Sequence, residues 1–269
     1  MASPFTINAT INSFGGRFLK LTHQSTATGT PMNLTLYLPP SAAASKPAPL
    51  LIYLSSLTCS PNNVTEKGFL HPHASSLGLG LLYPDTSPRG LDLPGEHESW
   101  DFGSAASFYI DATNELWNQT YKMELSSILG ESPITGHSMG GHGALTLYIK
   151  NPGKYKSVSA FAPITNPTKC PWGQKAFSGY LGDDKEEWKK HDALELLWSW
   201  KVPINALIYV LSGTEDNFYK QGQLLPENFE KVAKEIGASG LQGYDHSYFF
   251  ISTFAGDHVQ HAAKALGLL

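Results

Sequence analysis

Two unbroken apolar runs constrain the fold of this chain more than any other feature of its sequence. Leu50–Leu54 and residues 79–83 carry almost only apolar side chains, and a polar, helix-compatible stretch at 63–77 separates them. A strand that is apolar on both sides has to be covered on both faces, as in a parallel sheet flanked by helices. The two runs therefore predict a β-α-β unit, and a third run at 204–211 extends the pattern.

The rest of the chain continues the alternation of strands and helices. Residues 32–39 alternate apolar and polar side chains, as a half-buried antiparallel strand does, and Val158–Phe161 is a short apolar strand. We expect an α/β fold with a mostly parallel central sheet and helices on both faces. No repeat or composition shift marks a boundary, so a single domain over 1–269 is expected. Helices are predicted at 63–77, 105–117, 140–150, 225–236 and 249–266, the last with a break near Gly256.

Composition excludes several classes of protein. With 269 residues, 41% of them hydrophobic, the chain can bury a sizeable core. Its 19 basic and 23 acidic residues are mixed along the sequence, so no nucleic-acid partner is expected. No stretch approaches the ~20 apolar residues of a membrane span, so no membrane partner is expected either. Two cysteines, Cys59 and Cys170, make no disulfide framework and favour free thiols in the cytoplasm.

The pentapeptide of Gly136, His137, Ser138, Met139 and Gly140 matches G-x-S-x-G, the nucleophile elbow. In that motif a serine lies on a sharp turn between a strand and a helix, and the glycines are needed because side chains there would clash with the neighbouring strand and helix. The helix amino terminus points its amide groups at the serine, where negative charge develops during attack. A chance match in a glycine-rich loop is the alternative, so the motif needs an acid and a histidine downstream.

Asp216 is the preferred candidate for the acid. A serine hydroxyl becomes a good nucleophile only when a base takes its proton and a carboxylate orients that base. Asp216 follows the predicted strand at 204–211, and ligand sites gather at the carboxyl ends of parallel strands. Glu215 is an alternative, as are Asp183 and Asp184, although those two lie in a charged stretch that is typical of a solvated turn.

His246 is the preferred candidate for the base. It follows Asp216 in the chain, so the order is Ser, Asp, His, as the α/β-hydrolase fold requires. His258 and His261 are alternatives whose spacing on a helix could bind a metal, but no third ligand accompanies them. His71 and His73 precede the serine and flank a proline, which favours a loop.

Seven stretches of the sequence resemble one known family, the S-formylglutathione hydrolases, also called esterase D. The resemblance runs from about Gly15 to the C-terminus. The stretches are LTC at 57–59, PDTSPRG at 84–90, SWDFG at 99–103, GHSMGGHGA at 136–144, YKSVSAFAP at 155–163, KAF at 175–177 and GYDHSY at 243–248.

The resemblance implies a serine-dependent thioester hydrolase that cleaves S-formylglutathione to formate and glutathione in formaldehyde detoxification. It implies the catalytic triad of Ser138, Asp216 and His246, and an oxyanion hole from the backbone amides of Leu57 and Met139. No metal or organic cofactor is required. Family likeness also suggests a homodimer. The alternatives are a broad-specificity carboxylesterase for small acyl groups and an inactive binding protein of the same fold.

Several positions depart from the family pattern. Ser56, Ala105 and Ser107 stand where the family usually has glycine, so a less mobile oxyanion loop is expected. The segments before Gly136 and Gly243 are shorter than in the family, and residues 132–135 look too short and too proline-broken for a central strand. Cys59, which would lie near the pocket, is either a small buried apolar residue or a site of sensitivity to thiol reagents.

Overall fold

The apolar runs of the sequence form the centre of one sheet. The structure is a computed structural model that describes residues 4–124, 131–200, 208–232 and 237–269. Nine strands in these ranges pair in the order β1-β2-β3-β5-β4-β6-β7-β8-β9. They are β1 Phe5–Ser13, β2 Gly16–Gln24, β3 Pro31–Leu38, β4 Leu50–Leu54, β5 Gly80–Pro84, β6 Ile134–His137, β7 Val158–Phe161, β8 Ile208–Gly213 and β9 Gly237–Leu241.

The sheet has a parallel part, whose central strands are buried, and an antiparallel part. The strands from β5 and β4 through β9 pair parallel, whereas β1, β2 and β3 form an antiparallel extension that joins at β5. Every residue of β4 beyond Leu50, and every residue of β6 and β7, is buried. Strands buried on both faces need helices on both sides, and the predicted mostly parallel α/β architecture is confirmed.

Helices cover the sheet between these strands. Helix α3 packs against β4, β6 and β7, whereas α9 packs against β7, β8 and α2. Across the described ranges, no helix combines the length and the apolar character needed to cross a membrane. The helices are α1 Pro61–Lys67, α2 Leu70–Leu77, α3 Met139–Lys150, α4 Pro171–Leu181, α5 Lys185–Lys189, α6 Ala193–Ser199, α7 Asn217–Lys220, α8 Pro226–Val232 and α9 Tyr248–Ala265, with a 3-10 turn at Pro167–Lys169.

The prediction of a helix at 105–117 is wrong. The segment forms turns, and Ala105, Phe108 and Tyr109 have left-handed φ values of 65°, 54° and 53°. Three left-handed residues so close together are incompatible with a right-handed helix. Their side chains are buried, so tertiary packing has overridden the local helical preference.

The helix at 63–77 is two helices, because Gly68 ends α1 and Phe69 takes a left-handed φ of 52°. The predicted break near Gly256 is also wrong, since α9 is continuous there. A Cβ on Gly256 would lie 3.1 Å from the His73 ring, so the glycine serves close packing of α9 on α2. The predicted elements at 204–211 and 225–236 correspond to β8 and α8, and residues 204–207 and 233–236 lie outside the described residues.

Residues 132–135 do contribute to a central strand, contrary to expectation. Strand β6 lies between β4 and β7 and pairs with both. Pro133 precedes the strand, where its missing N–H costs nothing, and its carbonyl accepts the Ile52 N–H at 3.0 Å. Strand β9 likewise leads into the segment that carries His246, despite the short spacing there. The single domain over 1–269 stays a prediction.

The core around α3 buries a histidine, which gives stability a pH dependence. His142 is fully buried between Phe108 and Phe177, at ring-centroid distances of 5.9 and 6.1 Å. Burial, with smaller contributions from the positive charges of His191 and Lys150, lowers the pKa of His142 to about 3. The unfolded chain, with a pKa near 6.5, therefore binds a proton below that pH that the folded chain excludes.

We expect the free energy of unfolding to fall as the pH drops below about 6.5, by up to about 1.4 kcal/mol per pH unit from this one residue. Urea unfolding at about pH 7.5 and about pH 5 measures the change. His142→Leu should show a shallower loss than the wild type, because it removes the group that titrates. Equal losses in the two proteins would contradict this assignment.

Candidate active site

Ser138 lies at the turn between β6 and α3. Its φ of 56° and ψ of −115° place it in a strained backbone conformation, and the residue is buried. A Cβ on Gly136 would lie 2.2 Å from the Gly140 carbonyl oxygen, and a Cβ on Gly140 would lie 2.0 Å from the Leu54 carbonyl oxygen. Any side chain at either glycine would force the turn apart, so the steric reason predicted for the two glycines is confirmed.

Asp216 and His246 meet beyond the carboxyl end of β8. Asp216 is fully buried and begins α7, where its Oδ1 accepts hydrogen bonds from the amides of Phe218 at 2.8 Å and Tyr219 at 3.2 Å. Its Oδ2 lies 2.5 Å from His246 Nδ1. Because an ionised carboxylate can only accept, Nδ1 carries the proton and Nε2 is left as a base. The helix cap holds the carboxylate, and the carboxylate holds the imidazole.

The His246 ring lies beside the elbow. Its centroid is 4.4 Å from that of His137, the residue before Ser138, and 4.7 Å from that of Phe218. The imidazole side chain is 13% exposed, so it is shielded from bulk water yet reachable by a small molecule. The structure thus brings the three predicted residues to the same edge of the sheet.

The alternative acids are engaged elsewhere. Glu215 is 59% exposed and pairs with Lys220 at 2.5 Å. Asp184 caps α5 by accepting the Glu186 amide at 2.9 Å, and Asp183 accepts the Ser178 hydroxyl at 3.2 Å. Each carboxylate already has a local structural role, which favours Asp216.

The alternative bases are also placed in structural surroundings. His258 is buried and stacks on Phe161 with ring centroids 3.4 Å apart, and burial holds its pKa well below the ordinary value. His261 stacks on Tyr209. His71 and His73 belong to helix α2 rather than to a loop, which corrects the prediction. Within the described ranges, no group of three or more His, Cys, Asp or Glu side chains is arranged to hold a metal ion.

The loop after β4 carries the first predicted oxyanion donor, Leu57. Tyr109 Oη donates to the Ser55 carbonyl at 2.9 Å, and the Thr58 amide donates to the Ala105 carbonyl at 3.0 Å. Thr58 itself has a left-handed φ of 63°. The second predicted donor, Met139, is the first residue of α3, where backbone amides have no partner within the helix. The oxyanion role of the two amides stays a prediction.

A second set of contacts fixes the end of the same loop. Thr86 Oγ1 donates to the Cys59 carbonyl at 2.6 Å, and Arg89 Nη2 donates to it at 2.9 Å. Arg89 also pairs with the buried Asp85 at 2.5 Å. Sequence reasoning missed these supporting residues, because only the structure shows that the segment at 84–90 closes over the loop.

Two of the departures from the family pattern belong to this support. Ala105 adopts a left-handed φ of 65°, and its amide donates to Ser87 Oγ at 2.8 Å. Ser107 Oγ donates to the Thr86 carbonyl at 2.5 Å. The Ser107 hydroxyl therefore adds a contact that glycine could not make, whereas Ala105 supports the loop through its backbone amide.

Cys59 is a buried thiol whose Sγ lies 3.8 Å from Tyr248 Oη. Burial raises the pKa of the thiol, against smaller lowering effects from hydrogen bonds to Tyr248 and Ser56. A raised pKa leaves little thiolate at neutral pH. These surroundings favour the small buried residue over the reactive site.

An elbow serine on a mostly parallel sheet, with a paired aspartate and histidine at the same sheet edge, defines a serine hydrolase of the α/β-hydrolase type. The family model described as "Putative esterase" matches residues 25–262. The chain also belongs to the S-formylglutathione hydrolase family, because relatives of that name are 45–46% identical to it over 94–100% of its length.

Relatives of that name match almost the whole chain. An S-formylglutathione hydrolase of Bos taurus is 46% identical over 271 residues, covering 94% of this chain and 95% of the relative. One of Arabidopsis thaliana is 45% identical over 287 aligned positions and covers 100% of both chains. The solved structure of an S-formylglutathione hydrolase from Agrobacterium tumefaciens superposes with a TM-score of 0.90 at 40% identity, covering 97% of this chain and 100% of that one.

Proposed function

We propose that this enzyme hydrolyses S-formylglutathione to formate and glutathione, the hydrolytic step of formaldehyde detoxification. The observation that carries the proposal is the Asp216–His246 pair beside the elbow serine, with 2.5 Å between Oδ2 and Nδ1. Relatives named for this reaction at 45–46% identity over 94–100% of the chain supply the substrate class.

In the first half of the proposed reaction, Ser138 becomes acylated. His246 Nε2 takes the hydroxyl proton as Ser138 Oγ attacks the formyl carbon of the thioester. The C–S bond of the tetrahedral intermediate then breaks, and the imidazolium gives its proton to the departing glutathione thiolate. The Asp216 carboxylate stabilises the imidazolium that forms between these two transfers.

In the second half, water takes the place of glutathione. His246 Nε2 removes a proton from the water as its oxygen attacks the formyl ester, and the same proton passes to Ser138 Oγ as the C–O bond breaks. Formic acid leaves, releases its remaining proton to the solvent as formate, and the free serine is restored. Nothing in this sequence of steps requires a metal ion or an organic cofactor.

We assign the oxyanion hole to the backbone amides of Leu57 and Met139. Both tetrahedral intermediates carry negative charge on the former carbonyl oxygen, and removing one such donor typically costs ~10²–10³ in rate. The hydrogen bonds from Tyr109 to Ser55 and from Arg89 to Cys59 support this assignment, because they hold both ends of the loop that carries Leu57.

A broad carboxylesterase for small acyl groups is the second candidate, since the matching family model describes esterases. The same residues would cleave an oxygen ester by the same steps. What separates the two functions is the preference of the enzyme for a glutathione thioester over a neutral ester.

Steady-state kinetics with S-formylglutathione and with 1-naphthyl acetate test the choice directly. For the proposed function we expect kcat/KM for the thioester to exceed that for the ester by about 100-fold or more. The thioester value itself should lie in the range of efficient enzymes. Comparable values, or a preference for the ester, would instead assign the protein to the general esterases.

The cellular setting and assembly are part of the proposal. A cytoplasmic location is supported by the two free cysteines, Cys59 and Cys170. A homodimer is supported by family likeness alone. Sedimentation of the purified protein in the analytical ultracentrifuge would measure the oligomeric state.

A further inference from the structure

An aromatic wall leads from His246 toward the protein surface. The Phe218 ring lies 4.7 Å from that of His246, and the Trp172 ring lies 4.7 Å from that of Phe218. Trp100 then packs edge-on against Trp172 at 5.5 Å and is itself 55% exposed. The series of rings therefore runs from His246 to a large exposed aromatic side chain, and exposed apolar surface of this kind often marks a binding site.

A charged pair lies at the exposed end of the aromatic wall. Lys175 follows Trp172 by one helical turn in α4, so both side chains lie on the same side of the helix. The Lys175 ammonium pairs with the carboxylate of Asp101, the residue directly after Trp100. It also donates a hydrogen bond to Ser99 Oγ at 2.8 Å. Lys175 is 46% exposed and the Asp101 side chain 14% exposed. Two segments remote in sequence therefore present one positive and one negative charge beside the aromatic wall.

Fold stability alone gives little reason for this arrangement. An ion pair with a half-exposed lysine contributes little to folding, because water already solvates the ammonium and the lysine side chain loses entropy when it is held in the pair. At the exposed end of the aromatic wall, however, a molecule bound along the wall can reach both charges with complementary charges of its own.

We propose that Lys175 and Asp101 bind the α-amino-acid end of the γ-glutamyl group of the substrate. The substrate carboxylate pairs with the Lys175 ammonium, and the substrate ammonium pairs with the Asp101 carboxylate. This inference rests on the proposed function, since it requires a glutathione thioester. Seven covalent bonds join the reacting cysteine sulfur to the γ-glutamyl Cα, an extended span of about 9 Å. That span is comparable to the two 4.7 Å steps from the His246 ring to Phe218 and from Phe218 to Trp172.

The pair acts on recognition rather than on chemistry. The γ-glutamyl end keeps the same charges in the bound substrate and in the transition state, so its binding energy lowers KM and leaves kcat nearly constant. A neutral ester has no group for the pair to bind. Lys175 and Asp101 therefore set the preference for the glutathione thioester.

Kinetics of Lys175→Ala with S-formylglutathione and 1-naphthyl acetate test the inference. The ratio of kcat/KM for the thioester to that for the ester should fall about tenfold, through KM, because one charge-assisted contact is lost. Lys156→Ala is the matched control, since Lys156 is 43% exposed, pairs with Glu131 at 2.7 Å and lies at the opposite end of the sheet. That variant should keep the wild-type ratio.

The glycine ethyl ester of S-formylglutathione identifies which end of the tripeptide is bound. It retains the γ-glutamyl charges, so Lys175→Ala should weaken its turnover as much as that of the parent thioester. An unchanged ratio in Lys175→Ala, or an effect that disappears with the ethyl ester, would overturn the inference. Failure of the proposed function is separate, because the wild type itself would then show no preference for S-formylglutathione.

Discussion

Ser138→Ala is expected to lower kcat for S-formylglutathione by about 10⁴-fold or more, with the ester activity lost in parallel. The alanine has no oxygen to form the acyl-enzyme, so neither half of the proposed reaction can proceed through it. The substitution removes one oxygen from a buried side chain, and the close contacts of the turn are made by the surrounding glycines, so the variant should keep the wild-type fold. Formate release under saturating substrate is the measurement.

A matched variant separates loss of the nucleophile from loss of a hydroxyl in general. Ser157 is also buried, and its Oγ has no hydrogen-bond partner within the described residues. Ser157→Ala should therefore retain near-normal turnover. Near-normal turnover in Ser138→Ala, with circular dichroism like that of the wild type, would rule out Ser138 as the nucleophile.

Asp216→Asn should lower kcat by about 10⁴-fold, the effect expected when the partner of a catalytic histidine can no longer accept its proton. An asparagine keeps one oxygen for the amides of Phe218 and Tyr219, so the start of α7 should remain intact. Its NH₂ group would face His246 Nδ1, which forces the proton onto Nε2 and removes the base. The kcat of the purified variant near neutral pH measures the effect.

Two other carboxylates serve as controls for that substitution. Glu215→Gln alters the neighbouring residue, which pairs with Lys220 at the surface, and Asp184→Asn alters a helix cap on α5. Both should keep kcat within a few-fold of the wild type. If Glu215→Gln lost activity to the extent expected for Asp216→Asn, the acid would have been assigned to the wrong residue.

Much of the sheet and of the site was predictable because it depends on local patterns. The apolar runs at Leu50–Leu54 and Val158–Phe161 became strands buried on both faces. The glycines around Ser138 are required by contacts only a few residues apart or across one strand. The position of Asp216 after β8 follows from the rule that functional groups gather at the carboxyl ends of parallel strands.

The errors arise where distant segments decide local structure. The segment at 105–117 has helical composition, yet Tyr109 is held by Ser55 and Ala105 accepts from Thr58, and both contacts belong to another part of the chain. A chain cannot form a helix and also follow that path across the loop. Propensity is a weak predictor when so many tertiary contacts compete with it.

Strand β6 shows the opposite error. Residues 132–135 look unsuitable for a strand because of their length and Pro133, but β6 extends through His137 and pairs on both sides. Neighbouring strands supply hydrogen bonds that compensate for a poor intrinsic preference. The aromatic wall and the Lys175–Asp101 pair were likewise beyond prediction, since their members come from three separate segments.

Labelling with a fluorophosphonate tests the central claim most directly. The protein would be treated with the reagent, the modified peptide identified by mass spectrometry, and formate release from S-formylglutathione measured on the same samples. We predict that Ser138 alone carries the label and that formate release falls in proportion to labelling. A label on another residue, or full formate release from protein labelled at Ser138, would contradict the assignment of this chain as a serine-dependent S-formylglutathione hydrolase.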